Sequence, residues 1–346
     1  MSGLTFGPFE GLHIAGGAIA LPPNQLTTTD ALKYVPKERS MSDERRLYIA
    51  TQIDTQVGTQ HRHWSYTPGD PIAKGPDSAS LASEALQGAL HAAGIQAAQL
   101  DLLLTATSTP HRYTGTVSSE VGQQLGIHAP CVDVRAGCSS GIFALTQAAF
   151  HLQAGAQYVA IVGTDTFSAV IPPAHRLGLC TMGDGAAALV LKRGEAILKS
   201  IYFESDGALS GLIATPGPMP PSKEACEAGL YQLAGDPQGF EQHIKTYYLQ
   251  AIERVLDHSQ LQGHQIDWFI PHQTSTSLAK SIAEHFAIPQ ERVWTKGISR
   301  HANIGAAGWI AGLSGALHEG DIKPGQHVLS ACVGGGMSWG AAVWRC

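Results

Sequence analysis

Three residues of this 346-residue chain carry the makings of acyl-thioester chemistry: Cys138, His272 and Asn303. Cys138 follows the β-prone run Val132-Asp133-Val134 and the small turn Arg135-Ala136-Gly137. After it come Ser139-Ser140-Gly141 and an apolar stretch, 142–150, without Pro or internal Gly. That order predicts a strand, a tight turn and a buried helix, with the cysteine where turn becomes helix. Unpaired N–H groups and partial positive charge at a helix N-terminus favour a thiolate. Gly137 and Gly141 let the backbone turn sharply and let a substrate come close. Taken singly, each residue has a plainer reading. A Cys in a small-residue turn is commonly buried and inert, a lone His is commonly a surface or satisfied core residue, and an Asn ahead of a helix is commonly its N-cap. A thiol, an imidazole and an amide converging on one point instead suggest acyl transfer through a cysteine thioester.

What would bring them together is a repeat. In the first half, 11–21 reads as a strand stopped by Pro22-Pro23, and residues 24–70 as a polar, partly helical excursion over the surface rather than core. Residues 78–93 form a predicted helix with Ser78 as N-cap and Gly94 as stop, and 100–107 a buried strand. A helix over 118–125 ending at Gly126 precedes the Cys138 turn, whose helix stops at Ala154-Gly155. Strands follow at 158–163 and, after the turn Gly183-Asp184-Gly185, up to Leu191. The second half repeats this order. Asp267-Trp268-Phe269-Ile270 leads through Pro271-His272-Gln273 to a helix, as the strand at Asp101 leads to the helix ending at Gly126. The HANIGAAG stretch from His301 to Gly308 opens a small-residue helix over 309–318 and then a strand at 328–331, as Cys138 does. A repeat of half the chain points to two duplicated βαβ halves. Loops at the carboxyl ends of equivalent strands then meet at one site. The Gly- and Pro-rich residues 204–240 read as the connection between halves, of a length that is usually functional or mobile.

Composition limits the alternatives. The chain is 44% hydrophobic and 14% charged with 39 Gly, which suits a large, well-covered α/β core. A net charge of −6 argues against a nucleic-acid partner. No run of 18 apolar residues exists to span a membrane, and Met1-Ser2-Gly3-Leu4-Thr5 lacks the form of a signal peptide, so a cytoplasmic protein is expected. The six cysteines show no metal spacing and read as free thiols. His61 and His63, two apart and without a clear third ligand, make a weak case for a metal, and none is expected.

At the same residues the chain resembles the thiolase-like superfamily and, within it, the β-ketoacyl-acyl-carrier-protein synthase III family. The resemblance runs over nearly the whole chain. It is carried by AGCSSG at Cys138, MGDGAAALV from Met182, DWFIPHQ around His272, HANIGAAG at Asn303 and IKPGQHVLSACVGGGMSWGAAV near the C-terminus. It implies a five-layered αβαβα fold of two pseudo-duplicated halves, 1–200 carrying the nucleophile and 201–346 carrying His and Asn, and a homodimer. It further implies that Cys138 takes the acyl group, that His272 and Asn303 support decarboxylation of a malonyl extender, and that the N–H groups of Cys138 and Gly335 form an oxyanion hole; a β-ketoacyl thioester is the other extender expected. Donors so placed are worth about 3–4 kcal/mol each. No cofactor is implied; CoA or phosphopantetheine thioesters, the latter on an acyl carrier protein, are substrates.

Departures from the family pattern point to a specialised member serving secondary metabolism. The Trp that acyl-CoA-primed members carry ahead of their TGIxxRH motif falls here on or near Gln52, which implies weaker CoA recognition or another donor. Val333 stands where the family has a Phe beside the malonyl carboxylate. The basic residue expected one turn past the catalytic His is replaced near Ser277, with Lys280 a turn further on. Tyr113, followed by Thr114-Gly115, falls near the aromatic that the family sends across the dimer to bound the acyl tunnel. Lys37, Arg39, Arg45 and Arg46 offer charge to an acidic carrier protein or a CoA phosphate, or simply form a solvated face. Two other functions stay open: acyl transfer to an O, N or S acceptor without decarboxylation, and a non-catalytic partner subunit of a synthase complex.

Overall fold

A computed structural model describes residues 3–69 and 75–346. The chain opens with β1 (Leu4–Phe6) and β2 (Phe9–Ala20), both laid antiparallel on a later strand. The excursion follows as β3 (Gln25–Thr27), α1 (Thr28–Leu32), α2 (Asp43–Val57) and β4 (His61–His63); its expected last residue, 70, lies outside the described residues. It is not purely surface. Leu26, Ala31, Leu32, Val35, Ala50 and Trp64 form a small core of their own against Phe167 and Ile171. The polar composition hid this because the inward side chains are few and scattered over β3, α1, α2 and the residues just after α1 and β4.

The first half continues as α3 (Ser78–Ala93), β5 (Leu102–Ala106), α4 (Val117–Leu125), β6 (Cys131–Val134), α5 (Ser140–Gln153), β7 (Tyr158–Thr166), α6 (Arg176–Thr181) and β8 (Asp184–Ser205). Helix stops fall on the expected glycines, Gly94 and Gly126, both left-handed at φ 69° and 67°. The start of α3 differs from expectation. Asp77, not Ser78, is the N-cap, and its carboxylate accepts the Ser80 N–H at 2.8 Å. β8 also runs on past Leu191 for fourteen more residues, to Ser205.

The expected connection at 204–240 holds β9 (Ile213–Ala214), α7 (Lys223–Glu227) and β10 (Ala234–Gly235). It gives way at Pro237 to α8 (Pro237–Ser259), a 23-residue helix absent from the sequence reading. Then come β11 (Trp268–Pro271), α9 (Thr276–His285), α10 (Lys296–His301), α11 (Gly308–His318), β12 (His327–Gly334) and β13 (Ser338–Arg345).

The strands run in the order β11-β12-β13-β8-β7-β5-β6. β6, β5 and β7 are parallel, as are β11 and β12, while β13 and β8 are antiparallel to their neighbours. A single parallel bridge, Phe269 with Val293, stands in the second half where β5 pairs with β6 in the first. The long β8 serves both halves: one end pairs with β7 and β2, the other with β13 and β1, so position 200 lies within a shared strand. Helices cover the strands in layers. α3 packs on β2, β7 and β8, α8 packs on β12 and β13, and α5 with α11 fills the middle. This is the thiolase-like αβαβα arrangement. The two central helices approach closely because Gly141 faces Trp309, where a Cβ would lie 2.4 Å from the indole nitrogen. Burying a large apolar side chain such as Trp309 or Ile310 stabilises the sandwich by roughly 1.5–3 kcal/mol each.

Candidate active site

The turn between β6 and α5 is held by hydroxyls. Ser139 Oγ donates to the Ala136 carbonyl at 2.7 Å, and Ser140 Oγ accepts the Ala136 N–H at 2.7 Å. Ser338 of β13 also donates to the Ala136 carbonyl, at 2.6 Å, and meets Ser139 Oγ at 2.6 Å. Both halves therefore build the nucleophile turn. Gly137 has φ 57°, and a Cβ on it would lie 2.3 Å from the Gly335 carbonyl oxygen. A Cβ on Gly334 would lie 2.6 Å from the Cys138 nitrogen. Turn and triple glycine thus interlock in a way only glycine permits.

β12 joins the thiol to the imidazole. The Ala331 carbonyl accepts the His272 N–H at 2.8 Å, and the next residue, Cys332, donates its Sγ–H to the Cys138 carbonyl at 3.1 Å. His272 is 2% exposed, and neither ring nitrogen has a hydrogen-bond partner among the described residues. Its ring rests on the start of α11, where a Cβ on Gly308 would lie 2.4 Å from Nδ1. Burial lowers the His272 pKa to about 4, so the imidazole is neutral at physiological pH.

Asn303 lies between α10 and α11. Its backbone N–H donates to the Thr181 carbonyl at 3.0 Å and its carbonyl accepts the Gly183 N–H at 2.9 Å, tying it to the MGDG turn. Its Oδ1 accepts the Gly305 N–H at 2.9 Å, which leaves the Nδ2 amino group as the end able to donate. Ala302, just before it, has φ 61° and ψ −160°, a region that non-glycine residues enter only under strain.

At Cys138 the pull of the helix N-terminus toward a thiolate is opposed. Burial first, then the charge of Asp165, pushes the thiol up to about 12, against the opposing pull of the N–H groups of Cys138 and Gly335. Desolvation outweighs the helix field here. Those two N–H groups are the ones expected to form the oxyanion hole, and both bear on the sulfur.

Asp165 was missed by the sequence reading, its only signal being an acidic residue closing the apolar strand at 158–163. Buried at the end of β7, it accepts from the N–H groups of Ser108 (2.7 Å) and Thr109 (2.8 Å), from Thr109 Oγ1 (2.8 Å), and from the Ala306 N–H (2.7 Å). It joins the loop after β5 to the loop that carries Asn303.

The peripheral candidates fall out variously. Val333 is buried between Cys332 and the triple glycine. Tyr113 is 72% exposed on the loop between β5 and α4. Gln52, Ser277, Lys280, Lys37, Arg39 and Arg45 are exposed. Arg46 is not available to a partner. It is buried, donating to the Glu38 and Met41 carbonyls and paired with Asp43. Arg62, of the His61-Arg62-His63 run, is buried and bonds the Leu26 and Cys180 carbonyls and Thr28 Oγ1, fastening the excursion to α6. The excursion also reaches the histidine loop, because Ser277 Oγ donates to the Gln56 carbonyl at 2.9 Å.

The profile of the 3-oxoacyl-[acyl-carrier-protein (ACP)] synthase III family matches residues 132–207, and that of its C-terminal part matches 256–346. The β-ketoacyl-[acyl-carrier-protein] synthase III of Hyphomonas neptunium is 32% identical over 324 residues, 90% of this chain and 96% of that protein. The 3-oxoacyl-[acyl-carrier-protein] synthase III structures of Aquifex aeolicus and Pseudomonas aeruginosa each superpose with a TM-score of 0.82 at 26% identity. They cover 97% of this chain and 100% and 98% of their own. A tetronic acid condensing enzyme, at 23% identity and TM-score 0.83 over 97% of this chain and 100% of its own, shares the fold.

Proposed function

The chain belongs to the 3-oxoacyl-[acyl-carrier-protein] synthase III family, an acyl-transferring condensing enzyme, and from that premise we propose how its own residues carry the reaction. The Cys138 sulfur attacks the carbonyl of an acyl thioester borne by CoA or by an acyl carrier protein. The tetrahedral oxyanion rests on the N–H groups of Cys138 and Gly335, the carrier thiol leaves with the proton, and an acyl-Cys138 thioester remains. A malonyl or β-ketoacyl thioester then enters. Loss of CO2 from the malonyl form leaves an enolate whose oxygen accepts from the His272 N–H and from Asn303 Nδ2. The enolate carbon attacks the acyl-Cys138 carbonyl, a β-ketoacyl thioester forms, and the Cys138 sulfur departs and is reprotonated. No metal or redox group has a part in these steps.

The observation that carries this reading is His272: neutral, buried and, among the described residues, bonded through neither ring nitrogen. A buried imidazole left so costs about 1–3 kcal/mol for each unmet group, which a substrate oxygen at the site would relieve. Val333, small where an aromatic is expected beside the extender carboxylate, favours a second reading in which the acyl group passes to an O, N or S acceptor with His272 as base. We also take the active form to be a homodimer, with the exposed Tyr113 closing the neighbour's acyl tunnel. Lys37, Arg39, Arg45 and Lys280 would receive an acidic carrier. The departures at Gln52, Val333 and Tyr113 fit secondary metabolism in the cytoplasm; no helix among the described residues is long and apolar enough to cross a membrane.

The test combines intact mass with labelled CO2. Wild type should gain one acyl group from a panel of acyl-CoA and carrier-borne donors, Cys138→Ala none, and acylated wild type should release CO2 from carboxyl-labelled malonyl thioester. Acylation without release selects the second reading. No adduct from any donor leaves only a non-catalytic subunit.

A further inference from the structure

His301 has no part in the steps above, yet it stands between the two loops that serve the enolate. His272 and Asn303 must offer their donors to one oxygen, and among the described residues no hydrogen bond joins the two. The link between them runs through α10. On the histidine side Gln273 is fully buried. Its Nε2 donates to the Pro271 carbonyl at 2.8 Å and to the Trp294 carbonyl, just ahead of α10, at 3.2 Å. With both amide hydrogens so used, Oε1 is the free end. On the asparagine side His301 closes α10, 3% exposed, with Nδ1 3.0 Å from the Ala302 carbonyl. A carbonyl only accepts, so Nδ1 carries the proton. Burial lowers the pKa of this histidine to about 4, which leaves Nε2 a bare lone pair.

The ring folds back one helical turn onto Gly297, the direction in which helical side chains lean. A Cβ on Gly297 would lie 2.8 Å from His301 Nε2 and 3.0 Å from Gln273 Oε1. Both atoms are buried and have no hydrogen-bond partner among the described residues. Two acceptors do not bond each other, so the two loops meet here by fit. The bond at the other end of the ring bears on Ala302, whose φ 61° and ψ −160° only glycine enters freely. Such a conformation persists where its surroundings fix it. The Ala302 carbonyl belongs to the peptide that carries the Asn303 N–H, so holding it fixes the turn from which the asparagine side chain extends. Resting on the function proposed above, we propose that His301 is a positioning residue. Bonded to the Ala302 carbonyl and seated on Gly297 beside Gln273, it holds Asn303 Nδ2 and His272 at the spacing at which both donate to one enolate oxygen. It acts through those two residues and not on substrate.

Acylation of Cys138 by intact mass and CO2 release from carboxyl-labelled malonyl thioester, measured on one preparation of each variant, test this. His301→Asn keeps an N–H donor on the atom bonded to Cγ, where Nδ1 stood, whereas His301→Gln moves the donor one bond further out. The asparagine variant should release CO2 within about threefold of wild type, and the glutamine variant should lose roughly tenfold to a hundredfold, the cost of about 1 Å of misplacement. Acylation should hold in both, because the Cys138 turn is untouched. Gly297→Ala suits a helix but sets a methyl group against Nε2, and should show the same selective loss of CO2 release. Adding His301→Asn, which has no atom at the place of Nε2, should restore most of that loss, the non-additivity of two residues in contact. Equal CO2 release in the asparagine and glutamine variants overturns the proposal. So does a loss that falls alike on acylation and release, or a Gly297→Ala loss that His301→Asn leaves unchanged. Each of these results leaves the decarboxylating reaction of the wild type standing. Acylated wild type that releases no CO2 overturns that reaction, and this inference with it.

Discussion

The nucleophile turn and the histidine pocket lie a strand apart and are finished in opposite ways. Around Cys138 the polar side chains are spent on the protein itself: Ser139, Ser140 and Ser338 all bond the backbone of the turn. Around His272 the reverse holds, with both ring nitrogens buried and, among the described residues, unpartnered. The first region is scaffold that fixes one sulfur and two N–H groups. The second is open chemistry, held in place through its backbone and by packing on Gly308. Buried polar groups are ordinarily satisfied, so an imidazole bare at both nitrogens beside the nucleophile's strand is the place where atoms of another molecule fit.

The largest effect that could break this contrast is kinetic. His272→Ala should lower malonyl decarboxylation by about 10²–10⁴, the range for removing a placed proton donor or base. Acylation of Cys138 should drop far less, by no more than about tenfold, because the turn and its N–H groups stay intact. Rapid-quench acylation and CO2 release on one preparation measure both. Equal loss in the two steps would make the histidine part of the nucleophile's own machinery and erase the distinction.

How far each region was legible beforehand follows from the same contrast. The Cys138 turn is local, its glycines, serines and flanking apolar runs lying within a dozen residues, and its strand, turn and helix came straight from the sequence. The stops at Gly94 and Gly126 did too. Asp165 was not legible because its partners are 56 and 141 residues away, at Thr109 and Ala306. The whole of α8 was missed too. Tyr247, Tyr248, Ala251, Ile252, Val255 and Leu256 recur at helical spacing just beyond the Gly- and Pro-rich run at 204–240, a signal the sequence reading left unused. Of the influences on the thiol, the helix N-terminus shows in sequence, whereas the burial that opposes it and the Asp165 carboxylate arise only in the folded chain.

That opposition gives a second, intermediate prediction. With the Cys138 thiol pushed up to about 12, its thiolate fraction rises tenfold for each pH unit through the working range. Iodoacetamide alkylation of Cys138, followed by peptide mass to separate it from the exposed Cys226, should therefore climb about tenfold per unit from pH 6 to 9 without levelling. His272 adds no inflection there, since its own pKa, near 4, lies below the window. Asp165→Asn removes the carboxylate that disfavours the thiolate, so at pH 8 its Cys138 should react a few-fold faster than wild type. A plateau below pH 8 in wild type would restore the resting thiolate and make the turn itself the reactive region.

The smallest expected effect concerns Ala302, where the second region stores strain beside Asn303. A β-carbon at φ 61° and ψ −160° costs of order 1–3 kcal/mol. Ala302→Gly removes that cost but gives the unfolded chain more freedom, worth about 0.5–1 kcal/mol against folding. The net expectation is a gain of about 1 kcal/mol, read as a higher urea midpoint at fixed protein concentration and unchanged slope. Condensation should stay within about threefold of wild type, because Asn303 keeps its bonds to Thr181, Gly183 and Gly305. A midpoint that moves down by an equivalent amount would mean that the loop relaxes around Ala302 in solution. A preserved midpoint with condensation lost tenfold or more would mean that the alanine, rather than those three bonds, sets where the amide stands.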